Sequence, residues 1–491
     1  MKTKIYLFFT IIAAGFLGLS ACTEDFLKTD IPQVDEGSYF NNVDNAKLAL
    51  TGCYNVMAWD AENQFPFWLG DILGHDSWKG GEGAGDQPWV EPLLRFQYSA
   101  NNEGLVTPYK NYFIGVGRCN RFIERVGEMT DDQIDPDLKD RFIAEAKFVR
   151  GYFYFELVKT FGSVPLITKP MKPVEYKQTL ADVASIYAQI EADFTDAVNT
   201  LPKKNDYPAS EMGRATKGAA RAMLCKAYIY QKKWAQALVQ ADSIIVHDNY
   251  SLEPNFADNW DLHHENGVES VFEIQFGTIA GGSAWGDENA GNVFVIFTRS
   301  RNDRDGWGFN CPSQNLYDEF EVADNTRRDA TFITNGETIW AGTDDEVTVD
   351  CDFPSNIDKM CSQKYQLPTS QLADNMSDDP NNWIVVRYAE VLLWASEAAY
   401  YAGPGELGDW EVYLNKVRND RDDVKLGNSP YRTEPLRAIF HERRCELAME
   451  GHAFWDIIRS DRGATVFGIY GYTEANRYLP IPQSEQDLIG L

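Results

Sequence analysis

One segment begins like the nucleophile elbow of a serine hydrolase, and it reads Gly281-Gly282-Ser283-Ala284-Trp285. In such an elbow a closing glycine lets a strand turn sharply into a helix, which exposes the serine hydroxyl. Trp285 occupies the closing position, so the segment lacks the residue that the strained turn needs. The segment therefore does not predict acyl-transfer chemistry.

Two further segments contain metal-ligating residue types. Neighbouring side chains in His263-His264-Glu265 point in divergent directions, so a polar loop is the favoured interpretation. Residues 302–306 resemble the start of a calcium loop, but Pro312 stands where the closing bidentate glutamate belongs. The chain also lacks a phosphate-binding loop and a dinucleotide-binding glycine motif. The sequence therefore predicts no metal ion and no cofactor.

Carboxylates are abundant, with 74 Asp and Glu against 45 Lys and Arg and a formal charge of −29. A glycoside hydrolase needs only two carboxylates at a suitable separation, so accidental pairs are expected and a hydrolase stays an open alternative. Without a positive signature we predict no catalytic residue and interpret most acidic residues as solvated surface. This charge disfavours nucleic acid and anionic bilayers, so we expect a neutral ligand or a protein partner.

Four tryptophans lie in or beside two irregular, glycine-rich regions, at about 70–91 and 277–370: Trp78, Trp89, Trp285 and Trp307. A tryptophan in a loop either fixes the loop to the scaffold or presents a flat face to a ligand. Because sugar rings have apolar C–H faces that stack on indole, we predict a ligand-binding aromatic platform where the two regions meet. Nearby arginines either bind acidic sugars or belong to the solvated surface: Arg299, Arg301 and Arg304.

Helical patterns surround these regions. Apolar residues from Val183 to Leu201 recur every three or four positions, and Pro202 ends the pattern. The segment from Phe142 to Phe161 becomes apolar on all sides, which is typical of a central buried helix. A partial tetratricopeptide pattern has Lys232 at the usual turn glycine and Cys225 at the usual helix-contact glycine, and its other positions are Leu224, Tyr228, Trp234 and Ala237.

These patterns together predict a mainly α fold. We expect a scaffold of tetratricopeptide-like helix pairs and an irregular, loop-rich lobe that contains short strands. Alternation of apolar and polar residues over 272–276 is one strand signal.

The N-terminus predicts export and lipidation. Residues 1–21 have the positive, apolar and small-residue segments of a signal peptide. The last residues, Leu19-Ser20-Ala21-Cys22, resemble a bacterial lipobox, so we expect a lipid on Cys22. Residues 22–34 lack strong periodicity and predict a tether, and we interpret 35–491 as one domain.

Seven cysteines follow Cys22, and an odd number excludes complete intramolecular pairing. Four fall in helical patterns, where a small buried thiol is the simplest interpretation: Cys53, Cys119, Cys225 and Cys445. None has the spacing of a zinc site. Cys351 and Cys361 flank a proline-containing loop, so they either form a local disulfide or stay free.

Several blocks of the sequence together resemble one known family. The blocks are Cys22, Glu145–Phe155 leading to Phe161–Leu166, Gly213–Lys217, Arg387–Leu393, Glu442–Leu447 with Gly451-His452, and Tyr478–Pro482. They resemble the SusD/RagB family of nutrient-binding outer-membrane lipoproteins, in family order and over nearly the whole mature chain.

The resemblance implies a lipid-anchored protein on the outer face of the outer membrane. It also implies an oligosaccharide or polysaccharide ligand, a SusC-like TonB-dependent transporter as partner, and no catalysis. Peptide capture and a surface glycoside hydrolase remain the alternatives. In the matching blocks, the resemblance implies buried ion pairs and hydrogen bonds between helices, made by Glu442, Arg443, Arg444 and Glu446.

Overall fold

Helices make up most of the regular structure in the computed structural model, which describes residues 39–59, 64–278, 291–303, 306–375, 378–421 and 424–490. The α-helices are α1 (Val43–Asn55), α2 (Val90–Leu94), α3 (Val106–Glu128), α4 (Pro136–Phe161), α5 (Val183–Thr200), α6 (Lys217–Tyr230), α7 (Trp234–His247), α8 (Phe294–Thr298), α9 (Gln314–Tyr317), α10 (Asn325–Thr331), α11 (Tyr388–Ala402), α12 (Trp410–Asp420), α13 (Pro435–Glu446), α14 (Ala453–Arg459), α15 (Gly463–Phe467) and α16 (Gln483–Ile489). The β-strands are β1 (Ser77–Gly80), β2 (Ser270–Ile274), β3 (Phe309–Pro312), β4 (Phe332–Thr334), β5 (Thr338–Ile339), β6 (Val347–Thr348), β7 (Met360–Ser362) and β8 (Trp383–Arg387). The predicted mainly α fold is confirmed.

Helix α4 is the central helix of the scaffold. Asp135 caps its first turn by accepting two backbone N–H bonds, and Pro136 opens the helix with a preset φ. The aromatic run from Tyr152 to Phe155 is buried, because α3 packs on one side of α4 and α5 on another. Gly162 ends the helix with a φ of 70°.

The predicted tetratricopeptide-like pair is formed by α6 and α7. Small residues let the two helices approach, so that Cys225 Sγ lies 3.3 Å from the carbonyl oxygen of Ala237. Lys232 stands in the turn with a φ of 59°, in the left-handed region that favours glycine. Helix α7 packs in turn on α11, and α11 packs on α12 and α13. The scaffold therefore continues through successive helix pairs.

Short antiparallel strand pairs build the loop-rich lobe: β1 with β3, β2 with β8, β4 with β7 and β5 with β6. In the first pair Trp78 lies opposite Cys311, and Gly80 lies opposite Phe309. Gly80 has a φ of 76°, and a Cβ there would lie 1.9 Å from the carbonyl oxygen of Gly308. Only glycine allows the two chains to approach this closely, and the pair joins the two predicted glycine-rich regions.

A buried ion network holds the helices around α13 together. The Glu446 carboxylate accepts hydrogen bonds from Arg387 Nη1 at 2.6 Å and from Arg327 Nη1 at 2.8 Å. The Glu442 carboxylate accepts a hydrogen bond from Arg418 Nη1 at 2.5 Å. These side chains are fully buried, so each charge depends on its partners rather than on water.

The two neighbouring arginines of α13 extend the network toward the lobe. Arg443 donates to Asp456 at 2.8 Å and lies 3.3 Å from Glu390. Arg444 donates to Asp76 at 2.7 Å, and 27% of its side chain is exposed. The predicted ion pairs of α13 are therefore present, although Arg444 lies at a surface.

The seven cysteines after Cys22 are all buried free thiols. Cys351 and Cys361 share a small apolar cluster with Cys311 and are not bonded to each other. In the described part of the chain, no set of three His, Cys, Asp or Glu residues is arranged to hold a metal ion.

Candidate functional site

A cavity of about 510 Å³ opens between the π-helix at Phe67–Ile72, α2, the start of α3 and β3. We call it the aromatic groove. Its aromatic lining is Phe65, Trp68, Trp89, Trp307 and Phe309, and its polar lining includes Gln87, Glu103, Thr107 and Arg301. Small-molecule sites typically have volumes of about 300–1,000 Å³ and this mixture of aromatic and polar groups.

The back of the groove is held by the π-helix and β3. Trp68 on the π-helix contacts Phe309 on β3 edge to face, with ring centroids 5.1 Å apart. Asp71 ties the same elements together, because it accepts a hydrogen bond from Asn310 Nδ2 at 3.2 Å and one from the Gly451 N–H at 2.9 Å. Burial raises the pKa of Asp71 to about 8. The acid is therefore mostly protonated at neutral pH.

Trp89 immediately precedes α2 and lines the groove. Its Nε1 donates to Gln87 Oε1 at 2.8 Å, and its ring meets Trp68 at 5.3 Å. A Cβ on Gly104 would lie 2.2 Å from the indole. The indole therefore packs on bare backbone, which fixes its orientation while leaving it half-buried.

Trp307 supplies a second indole to the same groove. Its backbone N–H donates to the carbonyl of Ile296 at 2.7 Å, which anchors it to α8. Arg301 donates to the Trp307 carbonyl at 3.1 Å and pairs with Glu82 at 2.8 Å. Residues near 89 and near 307 therefore share one cavity, as the predicted meeting of the two regions requires.

Trp78 lies outside the aromatic groove. Successive side chains of a strand point to opposite faces. Lys79 is buried and donates to the carbonyls of Gly83 and Asp86, so Trp78 points the other way. Its indole is 38% exposed and donates from Nε1 to Asp358 at 2.5 Å. The expected single platform is thus corrected: Trp78 lines a separate cleft, because the pleat of β1 turns it away.

The remaining predicted site residues have different placements. Trp285, Arg304 and Cys22 lie outside the described residues. Arg299 is buried and donates to the Leu367 carbonyl at 2.9 Å, so it is a structural residue. The ligand-binding role of the tryptophans remains a prediction.

Sequence reasoning missed the part of the groove that precedes residue 70. Phe65 and Trp68 belong to a dense aromatic run immediately before the glycine-rich region. Glu103 and Thr107 flank the start of α3, where the helical pattern conceals their position at the mouth of a cavity. The aromatic run could have indicated this part of the groove from the sequence, whereas no sequence pattern indicates Glu103 and Thr107.

Two segments of the chain match known families. Residues 87–229 match a SusD-like family described as starch-binding and associating with the outer membrane. Residues 336–488 match the SusD family.

Known relatives match nearly the whole chain. SusD-like protein P2 of Formosa agariphila is 24% identical, covering 98% of this chain and 97% of its own length. A SusD-like protein of Bacteroides ovatus is 25% identical, with 93% and 82% coverage.

Solved structures share the fold. A laminarin binding SusD-like protein is 27% identical with a TM-score of 0.78, covering 91% of this chain and 98% of that one. Surface glycan-binding protein A from Bacteroides thetaiotaomicron, in complex with laminarihexaose, has a TM-score of 0.76 at 23% identity, covering 91% and 97%. With its family matches at both ends and its relatives aligned over almost their full length, the chain belongs to the SusD/RagB family.

Proposed function

We propose that this protein binds oligosaccharides at the cell surface and delivers them to a SusC-like TonB-dependent transporter in the outer membrane. The observation that carries the proposal is the aromatic groove, where Trp89 and Trp307 line one cavity together with polar side chains. The groove is the binding site in this proposal.

The chemistry of the groove suits a sugar. The apolar C–H face of a pyranose ring stacks on an indole, which needs no opposite charge on the ligand. Side chains of Gln87, Glu103 and Thr107 offer hydrogen-bond donors and acceptors to hydroxyl groups. A neutral ligand also fits a protein with a formal charge of −29.

The relatives support binding without turnover. They are named as glycan-binding or SusD-like proteins, and the most similar solved structure cited above is named for laminarin. We therefore propose that this chain is not an enzyme, and that laminarihexaose is the first ligand to test. Incubation with laminarihexaose is expected to release no shorter product.

The proposed location follows from the N-terminus and the family. Cys22 after a signal peptide gives a lipid anchor, and we place the protein on the outer face of the outer membrane. None of the described helices is both long and apolar enough to cross a membrane. The transporter partner rests on family membership and is testable by copurification from solubilised outer membranes.

Calorimetric titration with laminarihexaose tests the groove. Trp89→Ala and Trp307→Ala are each expected to weaken binding by about 1–3 kcal/mol, as for other flat ligands stacked on aromatic rings. Trp78→Ala is the matched control, because it removes an exposed indole outside the groove. Unchanged affinity in both groove variants would refute the site. An early thermal melt in both would instead assign these indoles to the core.

A further inference from the structure

The side of β1 that faces away from the aromatic groove borders a second cavity, of about 570 Å³. We call it the arginine cleft. It lies between β1, α13, α14 and the segment that follows α15, and its lining includes Trp78, His75, Arg443, Arg444, Arg462 and Tyr470. Its volume also falls in the range of about 300–1,000 Å³ typical of small-molecule sites.

Two aromatic side chains offer flat surfaces in the arginine cleft. Trp78 is 38% exposed, and its bond to Asp358 holds the indole in place. Tyr470 is 41% exposed and stacks on His75, with centroids 3.7 Å apart and an interplanar angle of 8°. Both rings are therefore held by neighbours while one surface of each stays open to solvent.

Arg462 is the cation of the cleft that lacks a carboxylate partner. Its Nε donates to Ser460 Oγ at 2.8 Å, and its guanidinium lies 4.0 Å from the ring centroid of Phe440. Within the described residues, no carboxylate lies at ion-pair distance from Arg462. Its two terminal nitrogens are therefore available to a ligand.

The other two arginines of the cleft are already neutralised. Arg444 is paired with Asp76 and Glu319, and Arg443 is paired with Asp456 and Glu390. Arg462 is consequently the arginine of this lining that makes no direct ion pair among the described residues, and burial lowers its pKa against the longer-range attraction of Asp456 and Glu397. An arriving anion would recover the interaction that this desolvated cation lacks.

An acidic protein can still bind an anion at this point. Screening limits the repulsion from distant surface carboxylates to about 8 Å at physiological ionic strength. The guanidinium presents a planar fork of donors that matches a carboxylate in two-point contact. A carboxylate can therefore make two-point contact with Arg462, although Asp76, Asp358 and Asp456 line the same cleft.

We propose that the arginine cleft is a second carbohydrate site, specific for a hexuronate unit, in which Arg462 binds the sugar carboxylate and Trp78 and Tyr470 contact the ring. A sugar is favoured over a simple anion because the two exposed aromatic faces stand in the same cavity as the free guanidinium. The inference rests on the proposed function only in taking a carbohydrate as ligand, and it does not involve the aromatic groove.

The test is calorimetric titration of the full-length protein with a short oligogalacturonate and a short oligoglucuronate. At least one of these acids is expected to bind. Its methyl ester has the same rings without the charge, and we expect the ester to bind at least about tenfold more weakly. Arg462→Gln should cause a similar loss and Trp78→Ala a measurable one. Arg437→Gln removes an exposed arginine elsewhere on α13 and should change nothing.

Several outcomes would overturn the proposal. They are no binding of either acid, equal binding of the esterified forms, or unchanged binding in Arg462→Gln. Loss of uronate binding in Trp89→Ala would show that the uronate binds in the aromatic groove instead. Equal binding of oligoglutamate, with no effect of Trp78→Ala, would reduce the cleft to an unspecific anion site. Thermal melts establish that each variant is folded, and laminarihexaose titration of the same samples reports the groove separately.

Discussion

At the scale of single residues, Asp71 is an acid kept in its protonated form by burial. Its pKa rises from an ordinary value of 3.8 to about 8 in the folded protein. The folded state therefore binds a proton that the unfolded state releases. This contribution to stability is fully present below about pH 3.8 and is lost as the pH rises to about 8.

Asp71→Asn makes this linkage measurable. Asparagine is neutral at every pH. The melting temperature of the variant should therefore fall less between about pH 4 and pH 8 than that of the parent protein, because the contribution of Asp71 is gone. The measurement is the difference between parent and variant melting temperatures across that range, which removes the contributions of other buried acids. A constant difference would show that Asp71 does not titrate in this window.

At the scale of secondary structure elements, α13 depends on the charge of Glu446. Burial alone would raise the pKa of Glu446, but the surrounding guanidinium groups hold it well below its usual range, and they belong to Arg421, Arg387 and Arg327. The stabilisation is present above about pH 4.5 and is lost as the pH falls, because the unfolded carboxylate protonates first.

Glu446→Gln removes this charge at nearly constant volume. We expect the free energy of unfolding to fall by about 3–5 kcal/mol, since buried arginines lose their counter-charge. Denaturant titration measures the change. Glu434→Gln is the control, because Glu434 precedes the same helix and half of its side chain is exposed. A loss below about 0.5 kcal/mol in Glu446→Gln would contradict a stabilising network.

The pairing of β1 with β3 depends on Gly80. Alanine there has an unfavourable φ and a Cβ 1.9 Å from the Gly308 carbonyl oxygen. We expect Gly80→Ala to cost at least about 1–2 kcal/mol of stability and to weaken laminarihexaose binding, because β3 supplies Phe309 to the groove. Gly85→Ala is the matched control, since its Cβ would meet nothing within 4 Å. Equal stability and affinity of the two variants would contradict the argument.

At the scale of the whole molecule, the proposed lipid on Cys22 would decide where the protein acts. Cys22→Ala removes the thiol proposed to carry the lipid, so we expect the protein to leave the membrane fraction and to incorporate no labelled fatty acid. Fractionation and labelling of cells expressing parent and variant measure this. Cys53→Ala is the control, because that thiol is buried in α1 and should leave membrane association unchanged. Continued labelling of Cys22→Ala would refute the anchor.

The sequence by itself determined the helical scaffold and the family. Helix α4 illustrates this, because its start at Asp135 and Pro136 and its end at Gly162 follow from residues at its own termini. These signals depend on residues within a few turns, so one sequence contains them in full. The blocks that resemble the family, such as residues 145–166 and 387–393, are likewise recognised from the order of the residues alone.

Only the tertiary structure decided which tryptophans share a cavity. The register of β1 on β3 joins residues more than 200 positions apart in the sequence, and the two-residue period of a strand sends Trp78 and Lys79 to opposite faces. A shift of one residue would exchange those faces, and nothing near residue 78 specifies the register. The same long-range packing places Trp89 over Gly104 and, among the described residues, leaves Arg462 without a carboxylate at ion-pair distance. The candidate binding surfaces are therefore set by contacts between distant segments, whereas the predicted scaffold helices are set by neighbours along the chain.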